Sequence, residues 1–297
     1  MSRITLIGAG AIGCAVGGAL LQAGHEVTFC ARKAFARLSV QKDGEPPVVH
    51  VAKVVTRPDQ VPQADWVLLC VKAYQVPSAA EWLAAAVRPG TRVAVLQNGV
   101  EQKENAEPFV PVGTPIVPVV IDLPVSRTAP GEVHWSRIAT ATVPEGPDGA
   151  AFAGLFAGSF LTAETSAEFV TRAWLKLCNN APSGAILALT GQRMRVMHEP
   201  GIADLARAIL AEVIAVGRAE GAELDDSLIE RQVQFFLGAK GDEGNSMFAD
   251  RMAGREMEWN ARNAVIVRKA ALHGIPVPVS TALVPLLAAI SNAAKGD

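Results

Sequence analysis

The chain has 297 residues, half of them apolar, and carries a formal net charge of −2. This composition excludes a disordered chain, and the near-neutral charge gives no electrostatic reason to expect a nucleic-acid partner. Four cysteines and five histidines are scattered without CxxC or HxxxH pairs, so the sequence predicts no metal site and favours reduced thiols in a cytoplasmic protein. No uninterrupted apolar run is long enough to predict a membrane span.

The opening elements in chain order are a strand, a glycine turn, a helix and a second strand. The first β-branched run stops at Gly8, and residues 11–22 favour a helix. Apolar runs then alternate with helical segments, which is typical of a mostly parallel sheet with helices on its faces. The strands predicted from this pattern are residues 3–7, 26–30, 48–55, 66–71, 92–96 and 115–121. Residues 131–143, rich in Val, Ile and Thr, predict an antiparallel hairpin that closes the domain.

The second half of the chain changes from short strands to long helical periods. A turn cluster at residues 144–148 precedes the change, and we place the domain boundary near residue 165, between domains 1–165 and 166–297. The helices predicted there are residues 166–189, 202–220, 226–237, 259–273 and 279–294. The last helix is apolar enough to be either core or a subunit interface, so a homodimer remains one alternative for the oligomeric state.

A glycine-rich turn follows the first strand and opens the first helix. Its six residues match the pattern GxGxxG: Gly8, Ala9, Gly10, Ala11, Ile12 and Gly13. The first glycine permits a tight turn, the second lets the backbone approach a pyrophosphate, and the third lets the helix pack closely on the strand. The N-terminus of the helix adds N–H groups and a partial positive charge. In this strand–helix–strand context the turn predicts a dinucleotide site.

The end of the second strand indicates which dinucleotide is bound. NAD-specific proteins usually have Asp or Glu there, which accepts hydrogen bonds from the ribose 2′-hydroxyl. This chain has Arg32 and Lys33 instead. A carboxylate would repel a 2′-phosphate, whereas Arg holds it through two hydrogen bonds and Lys adds a point charge. The sequence therefore predicts NADP(H) as the cofactor.

Five markers in order give the chain a resemblance to the ketopantoate reductase (2-dehydropantoate 2-reductase) family over most of its length. After the glycine turn and Arg32 come a strand ending in a lysine and an Asn-Gly pair. A W-x-K-L-x-x-N-like helix and an S-M-x-x-D segment followed by G-R-x-x-E complete the series. In this sequence the later markers are Lys72, Asn98-Gly99, Trp174–Asn180, Ser246–Asp250 and Gly254–Glu258.

The resemblance implies a Rossmann-like α/β N-terminal domain with a parallel sheet, an all-α C-terminal domain, and catalysis in the cleft between them. It implies an oxidoreductase that uses NADPH to reduce a small 2-oxo acid, 2-dehydropantoate, to pantoate for coenzyme A biosynthesis. By position, Lys176 matches the catalytic lysine and Glu258 its acidic partner. The remaining matches are Lys72 and Asn98 near the cofactor, and Asn98, Asn180 and Ser246 at the substrate.

These residue types suit the reaction. Hydride delivery to a ketone builds negative charge on its oxygen, which an ammonium group stabilises and then protonates. Lys176 and Asn180 are four residues apart, so on a helix they share one face. A carboxylate such as Glu258 can orient the lysine or accept a hydrogen bond from a hydroxyl of the substrate.

One departure from the family pattern leaves the substrate open. Where the pattern has a second asparagine one turn beyond Asn180, this chain has Gly184, and only the neighbouring Ser183 offers a replacement hydrogen bond. Losing one polar contact changes which 2-oxo acid fits. The alternatives are therefore the same fold and cofactor acting on a different 2-oxo or β-hydroxy acid, or a non-catalytic protein that senses NADPH.

Overall fold

The structure is a computed structural model that describes residues 1–293. Its internal contacts divide the chain into two compact units. The first contains Met1–Asn98 and Gln102–Phe169, and the second contains Gly99–Glu101 and the chain from Val170 onward. Within the described residues, no helix is long and apolar enough to cross a membrane.

The first unit contains the strands. In chain order they are β1 (Arg3–Ile7), β2 (Glu26–Cys30), β3 (Arg37–Lys42), β4 (Val48–Val51), β5 (Lys53–Val55), β6 (Trp66–Leu69), β7 (Arg92–Val95), β8 (Ile116–Pro118), β9 (Val120–Asp122), β10 (Val125–Ala129), β11 (Glu132–Trp135), β12 (Thr140–Pro144) and β13 (Thr162–Ser166). Its helices are α1 (Ala11–Gln22), α2 (Ala80–Ala86), α3 (Gln102–Ala106) and α4 (Pro147–Gly154).

The main sheet has six parallel strands in the order β5-β2-β1-β6-β7-β8. Leu6 of the central β1 lies opposite Phe29 of β2 and Leu68 of β6, and all three side chains are fully buried. Strands buried on both faces are expected to be mostly apolar, and β6, Trp-Val-Leu-Leu, is apolar and buried throughout. Because every strand runs in the same direction, all of their carboxyl ends lie along one edge of the sheet.

Two smaller sheets complete the first unit and correct two predictions. Residues 131–143 do not form one hairpin: β11 pairs antiparallel with the preceding β10, whereas β12 pairs with β9 and β13 in another sheet. The alternating pattern identified the strands but did not encode their partners. Residues 48–55 likewise form two strands, β4 in the sheet β10-β11-β3-β4 and β5 at the edge of the main sheet.

The second unit is helical in the part of the chain that the structure describes. Its helices are α5 (Phe169–Thr190), α6 (Ile202–Ala219), α7 (Ser227–Leu237), α8 (Ser246–Met252), α9 (Val265–His273) and α10 (Pro278–Ala293). A π-helical turn, Asn260–Ala264, leads directly into α9. The predicted fold class, a parallel α/β unit followed by an all-helical unit, is confirmed. The prediction for the last helix includes residue 294, which lies outside the described residues.

The core of the second unit forms around Trp174 and Cys178 of α5 and Leu210 and Val213 of α6. Pro182 lies inside α5, which continues through it to Thr190. The free energy gained by burying the apolar side chains of α5 outweighs the loss of the one backbone hydrogen bond that Pro182 cannot donate.

A three-residue segment of the second unit, Gly99–Glu101, comes from within the first half of the chain. Gly99 has a φ of +98°, and a Cβ atom there would lie 2.7 Å from the carbonyl oxygen of Ala261. Glu101 forms an ion pair with Arg268 of α9. Gly99–Glu101 is therefore packed and paired as a part of the helical unit.

Candidate functional site

The residues predicted to bind the cofactor follow four neighbouring strands of the main sheet. The glycine turn follows β1, Arg32 follows β2, Lys72 follows β6 and Asn98 follows β7. Because β2, β1, β6 and β7 are adjacent and parallel, these residues lie along the same edge. The outer side of the carboxyl ends is the usual ligand-binding edge of such sheets.

Close packing requires glycine at the turn itself. Gly8 has a φ of +104°, in the left-handed region, and a Cβ there would lie 2.7 Å from Cγ1 of Val71. The helix α1 begins at this point with Gly10 as its N-cap, which makes no side-chain hydrogen bond, and its first turn has no acidic residue. The first turn of α1 therefore offers its backbone N–H groups without an acidic side chain of its own, and the turn fits a pyrophosphate.

Three cations lie near this turn or the end of β2. Arg32 and Lys33 are exposed directly after β2. Arg127 of β10 is also exposed, and its Nη1 donates to the carbonyl oxygen of Ala9 at 3.4 Å. Sequence reasoning missed Arg127, because only the pairing of β10 with β11, and the packing of both strands on α1, brings it to the turn.

The helix α5 carries the predicted catalytic lysine. Lys176 and Asn180 are both half-buried and one turn apart. Ser183 is 6% exposed; its hydroxyl donates to the carbonyl oxygen of Asn179 at 2.7 Å and accepts from Nδ2 of Asn245 at 3.4 Å. The hydroxyl proton of Ser183 is therefore engaged within the helix.

A cluster of buried charges lies at the predicted acidic residue. Glu258 is 6% exposed, and its Oε2 lies 3.9 Å from Nη2 of Arg262. The same Nη2 donates to Oγ of the exposed Ser246 at 2.7 Å. Asp250, which is also buried, pairs with Arg255 at 3.0 Å. The structure thus brings Glu258 and Ser246 together through a buried arginine.

Sequence reasoning missed Arg262 although a signal was present. It lies in the predicted helix 259–273 and follows Glu258, the residue just before that helix, by four positions, a spacing that places two residues on one helical face. Burial lowers the pKa of Arg262, while the charges of Glu258 and Asp250 raise it. A guanidinium keeps its proton under such conditions, so the cluster retains a buried positive charge.

Comparisons with known proteins match both units. Residues 4–148 match the family described as ketopantoate reductase PanE/ApbA, and residues 168–291 match its C-terminal counterpart. The proteins named 2-dehydropantoate 2-reductase from Mycobacterium tuberculosis and Caulobacter vibrioides are each 41% identical over 290 residues, which covers 97% of this chain and 98% of the relative.

The chain belongs to the ketopantoate reductase family.

A solved structure agrees with this membership. The structure described as a PanE/ApbA family ketopantoate reductase from Ralstonia eutropha has a TM-score of 0.89 at 28% identity and covers 99% of each chain. The resemblance predicted from the five markers is therefore confirmed, and so is the fold class. The roles of the individual residues remain predictions.

Proposed function

We propose that this member of the family catalyses the NADPH-dependent reduction of 2-dehydropantoate to pantoate. The observation that carries the proposal is the 41% identity to two proteins named for this activity, over nearly the full length of both chains. The residues that the reaction requires are present in both units, which argues against a protein that only senses the cofactor.

The first unit would hold the cofactor. The turn Gly8–Gly13 and the start of α1 suit the pyrophosphate, and Arg127 adds a cation beside Ala9. Arg32 and Lys33 suit the 2′-phosphate that distinguishes NADPH from NADH. We assign Lys72 and Asn98, at the neighbouring strand ends, to the same ligand. The cofactor, when bound, supplies a hydride to the carbonyl carbon of the oxo acid.

The second unit would supply the proton and hold the substrate. The ammonium of Lys176 stabilises the charge that develops on the carbonyl oxygen and then donates its proton there. Asn180, one turn further on the same helix, donates or accepts a hydrogen bond with the substrate. Glu258 orients the lysine or accepts a hydrogen bond from a substrate hydroxyl, and the uncharged hydroxyl of Ser246 donates a hydrogen bond to the substrate.

A second candidate substrate is favoured by one observation. Gly184 offers no side chain, and a Cβ atom at that position would lie 2.9 Å from Sδ of Met247. The neighbouring Ser183 is a weaker substitute than the sequence suggested, because its hydroxyl already donates to Asn179. A different 2-oxo or β-hydroxy acid is therefore the alternative substrate.

Location and assembly belong to the same proposal. The four cysteines are free thiols, as expected in the reducing cytoplasm. A homodimer would cover exposed apolar residues of two consecutive helices, Leu272 of α9 and Leu286 of α10. Light scattering on the purified chain distinguishes a dimer from a monomer.

The decisive experiment is NADPH oxidation measured with 2-dehydropantoate beside smaller and larger 2-oxo acids. We expect kcat/KM to be highest for 2-dehydropantoate. A clear preference for another oxo acid would support the alternative substrate, and binding of NADPH without turnover of any carbonyl would contradict the enzymatic function.

A further inference from the structure

Arg262 is an unusually buried cation in the helical unit. Only 3% of its surface is exposed, whereas arginine is almost never fully buried unless it is paired. It lies within the π-helical turn Asn260–Ala264, shortly after Glu258. Single π-helical turns are rare and occur frequently at functional sites. Both its burial and its backbone setting therefore call for an explanation.

The hydrogen bonding of Arg262 is incomplete within residues 1–293. A guanidinium offers five N–H donors. Nη2 donates to Oγ of Ser246, but Oε2 of Glu258, at 3.9 Å, lies beyond hydrogen-bond distance. Nε is buried and has no acceptor among the described residues. This arginine thus has donors available for an acceptor that the described part of the chain does not provide.

The residues around Arg262 are those predicted to meet the substrate. Ser246 accepts its hydrogen bond through Oγ, which leaves the hydroxyl proton of Ser246 free to point at a different acceptor. Glu258 is its ion-pair partner. A carboxylate is the acceptor that best matches a guanidinium fork, because two parallel N–H···O bonds form at once.

The same region lacks the asparagine of the family pattern. Met247, the residue after Ser246, comes within 2.9 Å of where a side chain at Gly184 would begin. An asparagine at position 184 would therefore require Met247 to move. Ser246, the residue before Met247, accepts a hydrogen bond from Arg262, so the buried guanidinium lies next to this segment.

We propose that Arg262 binds the carboxylate of the 2-oxo acid, with the hydroxyl of Ser246 donating an adjacent hydrogen bond, and that Arg262 thereby selects acids over neutral carbonyl compounds. This inference rests on the proposed function, since it concerns how the same site recognises its substrate. Every 2-oxo acid carries this group, so the inference holds for 2-dehydropantoate and for the alternative substrates.

The test compares an acid with its neutral counterpart. Steady-state kinetics with NADPH are measured for 2-dehydropantoate and its methyl ester in wild type, Arg262→Met and Arg262→Lys. Arg231→Met is the matched control, because Arg231 is an exposed arginine that pairs with Asp225 on the surface. Thermal unfolding of each variant, with its affinity for NADPH, establishes that the fold and the cofactor site are intact.

We expect Arg262→Met to raise KM for the acid by about 100-fold or more, the size expected for removing one partner of a buried charged hydrogen bond, and to change KM for the ester little. Arg262→Lys should recover part of the loss, because lysine keeps the charge but not the fork. Arg231→Met should match wild type. Equal loss for the acid and the ester in Arg262→Met would overturn the inference.

A binding measurement separates this inference from the proposed function. Calorimetric titration of 2-dehydropantoate into the protein with NADP⁺ does not require turnover. If wild type binds the acid but reduces no oxo acid, the proposed function is contradicted. The titration still tests whether Arg262 binds the carboxylate of the acid. Binding that is lost in Arg262→Met and kept in Arg231→Met supports the inference, and unchanged binding in Arg262→Met overturns it.

Discussion

The carboxylate of Glu212 accepts the backbone N–H of Ser280 at 2.7 Å, and its other oxygen accepts the N–H of Val279 at the same distance. Glu212 belongs to α6 and is 8% exposed, whereas Val279 and Ser280 lie in the first turn of α10. A helix N-terminus has backbone donors without partners inside the helix, and an anion stabilises it. One buried side chain of α6 thus completes the start of α10.

We therefore expect Glu212→Ala to lower the free energy of unfolding by about 2–4 kcal/mol, since one buried and one half-buried backbone donor lose a charged acceptor. Glu212→Gln should be intermediate because its amide oxygen is uncharged. Urea unfolding followed by circular dichroism measures the loss. The control is Glu230→Ala, which removes an exposed ion pair with Arg207 and should change the free energy of unfolding little, because water and salt screen exposed charges. Equal losses in the two alanine variants would contradict this role of Glu212.

Gly13→Ala should prevent tight binding of the cofactor. The added Cβ would lie 2.0 Å from the carbonyl oxygen of Gly8 and 2.8 Å from Cδ2 of Leu6, so α1 would have to move away from the turn. Fluorescence titration with NADPH measures the loss. Gly154→Ala, in α4 with open space around the new atom, is the matched control and should leave binding unchanged. Wild-type affinity in Gly13→Ala would contradict the packing described for the turn.

Arg32→Ala should weaken NADPH binding and spare NADH binding. Removing charged hydrogen bonds to a 2′-phosphate is expected to reduce affinity for NADPH by roughly 10- to 100-fold. NADH lacks that phosphate and serves as the internal control. The dissociation constants of both nucleotides are measured for wild type and Arg32→Ala. The same loss of affinity for NADPH and NADH would contradict the assignment of Arg32 to the 2′-phosphate.

Lys176→Ala should lower kcat by about 10²- to 10⁴-fold, the usual contribution of a positioned general acid, while affinity for NADPH stays unchanged. Stopped-flow measurement of hydride transfer isolates the chemical step. Lys53→Ala removes an exposed lysine at the amino end of β5, the opposite end of that strand from the ligand-binding edge, and should behave as wild type. Undiminished turnover in Lys176→Ala would remove this lysine from the mechanism.

Features that depend on neighbouring residues could be predicted from the sequence. The turn at Gly8 is one example, because its backbone requirement and the helix after it are encoded within a few residues. The parallel sheet followed from the alternation of apolar runs and helices. Lys72 and Asn98 were expected at its carboxyl edge because each comes shortly after a predicted strand, and in the structure each lies three residues beyond the end of its strand, β6 or β7.

Features that depend on distant partners could not be predicted. The strands β11 and β12 lie close in sequence and both alternate, yet their partners belong to different sheets. Arg127 reaches Ala9 only through that pairing. Arg262 carries a charge that normally indicates an exposed helix face, and its burial depends on the packing of the whole helical unit. The four-residue spacing from Glu258 indicates which helix face Arg262 is on, but it does not indicate that the side chain is buried.

The segment Gly99–Glu101 has a consequence for how the molecule comes apart. Since it belongs to the second unit while both of its flanks belong to the first, the backbone changes unit at 98/99, at 101/102 and again at 169/170. A protease cut after Phe169 would release a helical fragment without the carboxylate of Glu101 that Arg268 binds. This fragment would lack an ion pair that the helical unit has in the intact chain, and we expect calorimetry to show it unfolding at a lower temperature than that unit does in the intact protein.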